Sequence, residues 1–467
     1  MRKQRELRLT DALITLFCFG IMIFLAVLRW DMTPHIPMLL GCIAAAAVSL
    51  ARGCKWSLIQ QGMVESIAQS LESIIILLLI SVLMGVWIQS GVVPAMIYYG
   101  LKVMAPSIFL PCAMVITSAV SMVVGSWGSA GTLGLALMGI SQALGIPAPL
   151  TAGAIISGAY VGDQLSPLSD STNLTGAVIG VSVFEHVRFL SPVAGCSYLL
   201  ALTGYFLAGL HYRSGTAETI AENTGAFLSS ISSAFSLSPL LFLPMILLIF
   251  CILRRVPAIL GISAGILSAG VLGALMQGSG LSALMRASKE GYAGTTGNSM
   301  VDRLLTAGGL DAMMPSISLI IIAMMFGGIL EKSGQMRALT APVMRLVHSL
   351  TGLTGAVVLT SILSNITMPD QYVAVALPGR MFRGEYDRQS IDRRKLGIAL
   401  SGGAIATSAL VPWNTCGSFM AGVLGVPTLS YAQYAFFNLS MPVLAMLAMA
   451  AASRKGRLLQ QQGGKTA

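Results

Sequence analysis

Between residues 11 and 452 the chain is a succession of apolar runs, at 11–28, 34–51, 73–91, 107–125, 131–160, 176–210, 238–253, 257–276, 313–330, 353–379, 396–426 and 433–452. A helix needs about 20 apolar residues to cross the ~30 Å hydrocarbon layer of a bilayer. In that layer each backbone N–H and C=O must be bonded inside the protein, which a helix achieves within one segment. Runs of this length, repeated this often, define an all-α polytopic membrane protein. Composition agrees: 55% of the residues are hydrophobic and 10% charged, with a mean hydropathy of +0.80, against roughly 25% charged in a soluble domain. Several runs exceed one crossing or are cut by Gly and Pro, so the pattern predicts hairpins and paired half-helices and about 10 to 13 membrane segments.

The net charge of +10 does not point to nucleic acid. The basic residues stand in short clusters between apolar runs, at Arg2 to Arg8, Arg52 and Lys55, Arg254 and Arg255, Arg380 to Lys395, and Arg454 to Arg457. Short basic loops stay cytoplasmic, which predicts both termini inside a bacterial inner membrane. The basic N-terminus precedes an apolar run without a small-residue cleavage site, so it is expected to be a first membrane helix and not a signal peptide. The seven cysteines have no metal-like spacing and are expected to pack. Residues 58–72 look amphipathic, and 213–237 and 277–312 are polar connectors. Lys102, Glu185, His186 and Arg188 flank spans, where snorkelling accounts for them; His35, His186, His211 and His348 all fall near span ends.

The most informative stretch is 158–176, which places Asp163 and Asp170 between apolar segments. An ionised group in hydrocarbon costs several kcal/mol without a partner. Pro167, with Gly158, Gly162 and Gly176, makes a continuous helix unlikely, so freed backbone groups should face a cavity. The pattern also recurs. Ser121 to Gly139 aligns with Ser361 to Gly379, and Ser166–Thr172 falls opposite Val411–Gly417, so a proline-broken polar segment occurs in each half of the chain. The loop after Gly139 is uncharged and the loop after Gly379 is rich in Arg, which predicts halves of opposite orientation, at 73–190 and 313–430. Residues 1–72, 191–312 and 431–467 then form the N-terminal spans, the connecting spans and the final span with its tail. Inverted repeats with interrupted helices mark secondary transporters.

Each candidate site residue has a bland reading as well. Asp163 and Asp170 could cap half-helices, but Ser or Asn would suffice there. A carboxylate in a membrane core does more, because burial favours its protonated form and a nearby Na+ its ionised form. Asp370 is the comparable acid of the second half, with a salt bridge to Arg380 as the alternative. Ser166, Ser169, Thr172, Asn173, Asn414 and Thr415 supply hard neutral oxygens suited to Na+. Ser126 and Thr132 are supporting candidates in a Gly-rich segment that also suits close helix packing. An intramembrane aspartyl protease is a poor match, since Ala159 stands near the place of its first Gly. A channel fits less well than alternating access.

Four motifs carry a resemblance: Gly162-Asp-Gln-Leu-Ser-Pro-Leu-Ser-Asp-Ser-Thr-Asn-Leu174, Gly125-Ser-Trp-Gly-Ser-Ala-Gly-Thr132, Asp370-Gln-Tyr with Leu377-Pro-Gly-Arg-Met-Phe382, and Ile405 to Gly417 ending Pro-Trp-Asn-Thr-Cys-Gly. From about residue 60 onward the chain resembles the NhaC-type sodium/proton antiporters of the ion-transporter superfamily. The resemblance implies exchange of external protons for internal Na+, with Na+ at Asp163 and Asp170. Some members of that family exchange malate with protons for lactate with Na+, so an organic-acid exchanger is the alternative. It implies no enzyme activity and no cofactor; the lipid bilayer, Na+ and H+ are the expected partners, with a small organic acid as the alternative cargo, and the sequence leaves a homo-oligomer open. One departure is Met368-Pro369 before the Asp-Gln-Tyr motif, where a local change of backbone is expected.

Overall fold

A computed structural model of the chain describes residues 8–30, 32–211, 217–254, 256–339, 349–368 and 370–463. Residues 2–7 of the first basic cluster, Arg255, His348, Pro369 and the side chains of Arg454 to Arg457 lie outside the described residues. Within them every extended regular element is helical, and the one β-bridge joins Tyr292 to Ala307. Eight helices are long and apolar enough to cross a membrane, or nine if the pair Thr224–Ala234 and Pro239–Cys251, bent by 91°, is one span. That is fewer than the apolar runs suggest, because some runs form helices shorter than a full crossing, such as His35–Ala51, and others are divided by breaks, as at Thr415–Leu424.

The first three helices, Leu9–Ile23, His35–Ala51 and the amphipathic Trp56–Gln69, pack around Leu310–Ser333. Phe19 stacks on Phe326 at 4.6 Å, and Met38, Cys42, Ile59 and Ile329 complete that core. Gly62 and Gly328 let the two backbones touch, which a Cβ on either would prevent. The polar connectors are not open loops. Residues 277–312 contain Leu281–Glu290 and Ser299–Leu305, seated against Gly85 of the helix Leu71–Gln89.

Two kinds of element, a broken helix and a hairpin, occur twice. A helix beginning at Ala148 breaks after Leu165 and resumes as Asp170–Ile179. A helix beginning at Arg393 ends at Ser408 and resumes as Thr415–Leu424. Both half-helices of the second set start 245 positions after their counterparts, and the second also ends 245 positions later, down to the closing glycines Gly180 and Gly425, with φ of 77° and 66°. A left-handed residue at that place ends a helix without a Cβ penalty.

Each broken helix is met by a hairpin. Pro106–Ala143 has 38 residues, about 57 Å of helix, nearly twice the hydrocarbon thickness. It is folded back at Gly125, whose φ of 75° and ψ of 173° are non-helical. The first arm runs alongside Ala148–Leu165, with Gly158 against Met114 and Gly162 against Ser118. The second arm returns, so that Ser141 meets Thr151 at 2.7 Å. In the second half, Leu350–Thr367 and Gln371–Arg388 flank a break at 368–370. Asp370 there is extended (φ −135°, ψ 130°) and starts the second arm.

The helix Val183–His211, 29 residues long and so about 43 Å, spans the molecule between the hairpin bases. At its far end Gly209 lies on Ser107, the base of the first hairpin. At its start Glu185 pairs with Arg394 at 3.2 Å, beside Gly180 and the Arg383 of the second hairpin. The two hairpins therefore enter from opposite ends.

Candidate ion site

The two breaks and the two hairpin tips meet around a cavity of about 680 Å³. Asp163 lies in the last turn before the first break, only 5% exposed. Its Oδ1 accepts the Ser126 N–H at 3.2 Å, and its Oδ2 accepts the Ser171 hydroxyl at 2.7 Å. Gly125 makes the first contact: its reversal turns the next amide towards the carboxylate. The Ser169 hydroxyl stands 3.0 Å from that of Ser171. Asp163 is thus held by neutral donors, and no Lys, Arg or His appears among the described residues that line the cavity.

Asp170 is the first residue of its half-helix, with Ser169 in the capping position. It lies on the cavity wall, exposed, its carboxylate making no hydrogen bond among the described residues. Ser126, Thr132, Ser169, Asn173 and Thr415 also reach the cavity. Several of the expected ligands, whether or not they reach the cavity, spend their side chains on the backbone. Ser166 donates to the Met122 carbonyl (2.5 Å) and Thr172 to that of Asp163 (3.0 Å). Asn173 donates to Pro167 (2.9 Å) and Ser169 (2.8 Å), carbonyls freed by the break, and Thr132 to Gly128 (2.7 Å).

Asp370 is buried away from the cavity. It caps its helix by accepting from the Tyr372 and Val373 amides at 2.9 and 3.1 Å, while Arg380 donates to the Ala376 carbonyl instead of pairing with it. Asn414 likewise caps Thr415–Leu424, accepting from Cys416 N–H at 3.0 Å and donating to Asn365 at 3.1 Å. What these caps place in the cavity are their neighbours Gln371, Tyr372, Thr415 and Cys416. Gln371, Tyr372, Cys416 and Ser171 were not singled out by sequence reasoning, although Gln371 and Tyr372 stand in the quoted Asp-Gln-Tyr motif and Ser171 directly follows Asp170.

The helix before the second break contains a π-helical turn, Ser401–Ile405, and such turns leave carbonyls to be satisfied from outside. Three amides from other helices do so: Gln164 bonds Ser401, Asn365 bonds Ala404 and Asn438 bonds Ala406. At the Val183 end, outside the spans, Arg393 grips Asp387 at 2.6 Å and Arg394 grips Asp392. Each guanidinium holds its partner carboxyl below the usual carboxylate range.

Opposed hairpins, two broken helices and one acidic cavity between them define a secondary transporter of the polytopic membrane class. The comparisons specify which. Residues 158–452 match the Na+/H+ antiporter family. The Na(+)/H(+) antiporter NhaC of Bacillus subtilis is 34% identical over 96% of this chain and 99% of its own length. The arginine/ornithine antiporter ArcD of Halobacterium salinarum is 33% identical over 92% of this chain and 89% of its own. The malate-2H(+)/Na(+)-lactate antiporter of Bacillus subtilis is 32% identical over 96% and 95%. The chain belongs to the Na+/H+ antiporter family.

Proposed function

We propose that the protein exchanges Na+ for H+ across the membrane, with Asp163 as the group both ions use. One observation carries this: the cavity ends on a buried carboxylate held only by neutral donors, in a lining without a basic side chain among the described residues. Ionised, Asp163 with the Ser169 and Ser171 hydroxyls offers the hard oxygens that suit Na+. Protonated, it is neutral and no longer holds a cation. Because one carboxylate cannot carry both, the two movements are coupled. Asp170 on the wall adds negative potential that draws cations inward.

Halves at 73–190 and 313–430 that rock against each other would give the site access to each side in turn. In the present state the cavity runs from Asp163 to Val183, Phe184 and Val256. Elsewhere, Trp127 stacks on Phe419 at 4.4 Å and 9°, joining the first hairpin to the second half-helix. Beside Val183 stand Arg383 and Arg393 at Gly180 and Arg394 at Glu185, so we read that end as cytoplasmic, in a bacterial inner membrane with both termini inside. No covalent step is needed, so the protein acts as a transporter without a cofactor, its Na+ and H+ being cargo.

The test is proton movement in proteoliposomes under an imposed pH gradient. Wild type should dissipate the gradient on addition of Na+, and Asp163→Asn should lose at least tenfold of that rate while remaining folded. An unchanged rate in the variant would remove Asp163 from the mechanism.

A further inference from the structure

The repeat reaches beyond the hairpins and the broken helices. Pro37-Met-Leu-Leu-Gly41 recurs as Pro257-Ala-Ile-Leu-Gly261, so the helices His35–Ala51 and Ala258–Met276 correspond. Gly85 and Gly91 recur 243 positions later as Gly328 and Gly334. Gly91 and Gly334 follow their helices with φ of 84° and 87°. Gly85 lies against the Ala287 carbonyl of one short helix, and Gly328 against the Gly62 carbonyl of another. The spans Leu71–Gln89 and Leu310–Ser333 therefore correspond as well.

Residues that line the open cavity thus have counterparts in the other half. Ser73, Leu83, Leu168 and Asn173 are on the cavity wall; their counterparts are Ser316, Phe326, Trp413 and Ser418. That second set is packed shut. Phe19, from the first helix, stacks on Phe326 at 4.6 Å and meets Trp413 edge-on at 5.6 Å and 88°. The Trp413 indole N–H donates to the Ile366 carbonyl at 2.8 Å. That carbonyl is in the last turn of Leu350–Thr367, where it has no intrahelical donor. Ser316 donates to the Ser418 carbonyl at 3.4 Å, and Ser418 to that of Pro412 at 2.8 Å. Three rings fill on this side the volume that two leucines leave open on the other. Thr415 and Cys416, just beyond Trp413 in the chain, already line the cavity.

In a pair of inverted halves, the counterpart of an opening towards one side is an opening towards the other. We infer that Trp413, held by Phe19 and Phe326, closes a second entrance to the cavity from the end opposite Val183, and that this aromatic contact parts in each transport cycle. The gate rests on the alternating-access reading of the two halves, not on which cation is carried.

The experiment uses Cys416, whose thiol lies on the cavity wall, as reporter. The full chain, inserted in one direction in sealed vesicles, is exposed on either face to a membrane-impermeant methanethiosulfonate. Modification of Cys416 is read by peptide mass spectrometry. Trp413→Ala should speed modification from the face opposite Val183 at least fivefold. Phe19→Ala should do the same and serves if the first variant does not fold. In parallel, Phe19→Cys and Trp413→Cys, combined with Cys18→Ser, are joined by a reducible bifunctional methanethiosulfonate. Joining them should lower Na+-driven proton movement at least tenfold, and reductant should restore it. A contact that serves packing alone would leave transport intact when joined, and that result would overturn the gate. Unchanged Cys416 modification in both alanine variants would do so too. If wild type moves no protons on addition of Na+, the ion reading fails by itself, and the modification rates decide the entrance without it.

Discussion

At the scale of single residues, the division of labour between Asp163 and Asp370 shows what decides a role. Both are buried acids at helix breaks. Asp370 has two helix amides to accept and spends itself as a cap; Asp163, at the C-terminal side of its helix, has only what the hairpin tip and the Ser171 hydroxyl bring to it. That difference depends on which end of a helix each residue occupies, which residue type does not reveal. The same holds for Ser166, Thr172 and Asn173, legible as hard oxygens but used on freed carbonyls. Gly125 is the residue on which the Asp163 contact depends. Its backbone lies where L side chains rarely go, and a Cβ there would stand 3.4 Å from the Asp163 Oδ1. Gly125→Ala should lower stability by about 1–3 kcal/mol, the usual cost of a residue forced into such a conformation, and weaken Na+ binding. Wild-type denaturation and Na+ affinity in that variant would contradict the hairpin tip described here.

At the scale of elements, the broken helices were legible because Pro167 and Pro412 interrupt apolar runs with polar residues. The folded-back hairpin at Gly125 was not. A Gly-rich apolar segment reads equally well as a close-packed straight helix, and only the contacts of Gly158 with Met114 and of Ser141 with Thr151 reveal the reversal. The π-turn was equally silent, since its amide partners come from three separate helices. Among them Asn365 is the most committed: it donates to Ala404 at 2.7 Å and to Thr407 at 3.0 Å and accepts from Asn414. Asn365→Leu would leave the Ala404 carbonyl and the Asn414 amide without this partner. At roughly 1–3 kcal/mol for a buried polar group left unpaired, a clear drop in thermal stability is expected, and none would contradict the π-turn network.

The Arg-rich corner behaves differently. The Asp387 and Asp392 carboxyls are depressed by Arg393 and Arg394, so their contribution is present above the ordinary carboxylate value of about 3.9 and is lost as pH falls through the lowered value. The stability difference between wild type and Asp387→Asn should therefore be the same at pH 8 and pH 6 and fade only below about pH 4. A difference that changes between pH 6 and pH 8 would show that another group governs this corner.

At the scale of the whole molecule, two copies of one plan have been put to different uses. The half-helices correspond position by position, yet the first pair presents carboxylates to the cavity and the second presents a carboxamide, a thiol and a hydroxyl. The hairpins enter from opposite ends, and their tips meet at the cavity, where Trp127 of the first stacks on Phe419 and Tyr372 of the second is partly exposed. The inverted repeat was foreshadowed by the unequal charge of the loops after Gly139 and Gly379. In the mechanism we propose, its bearing on transport follows from a cavity that ends on one carboxylate, which releases its proton to bind a cation.

Counting protons tests that claim directly. Calorimetric titration of the purified protein with Na+, repeated at one pH in buffers of different ionisation enthalpy, gives the number of protons released for each Na+ bound. Wild type should release protons as Na+ binds, and its Na+ affinity should fall as pH falls. Asp163→Asn should show neither. Tight Na+ binding that releases no proton and is unaffected by the loss of Asp163 would contradict the account.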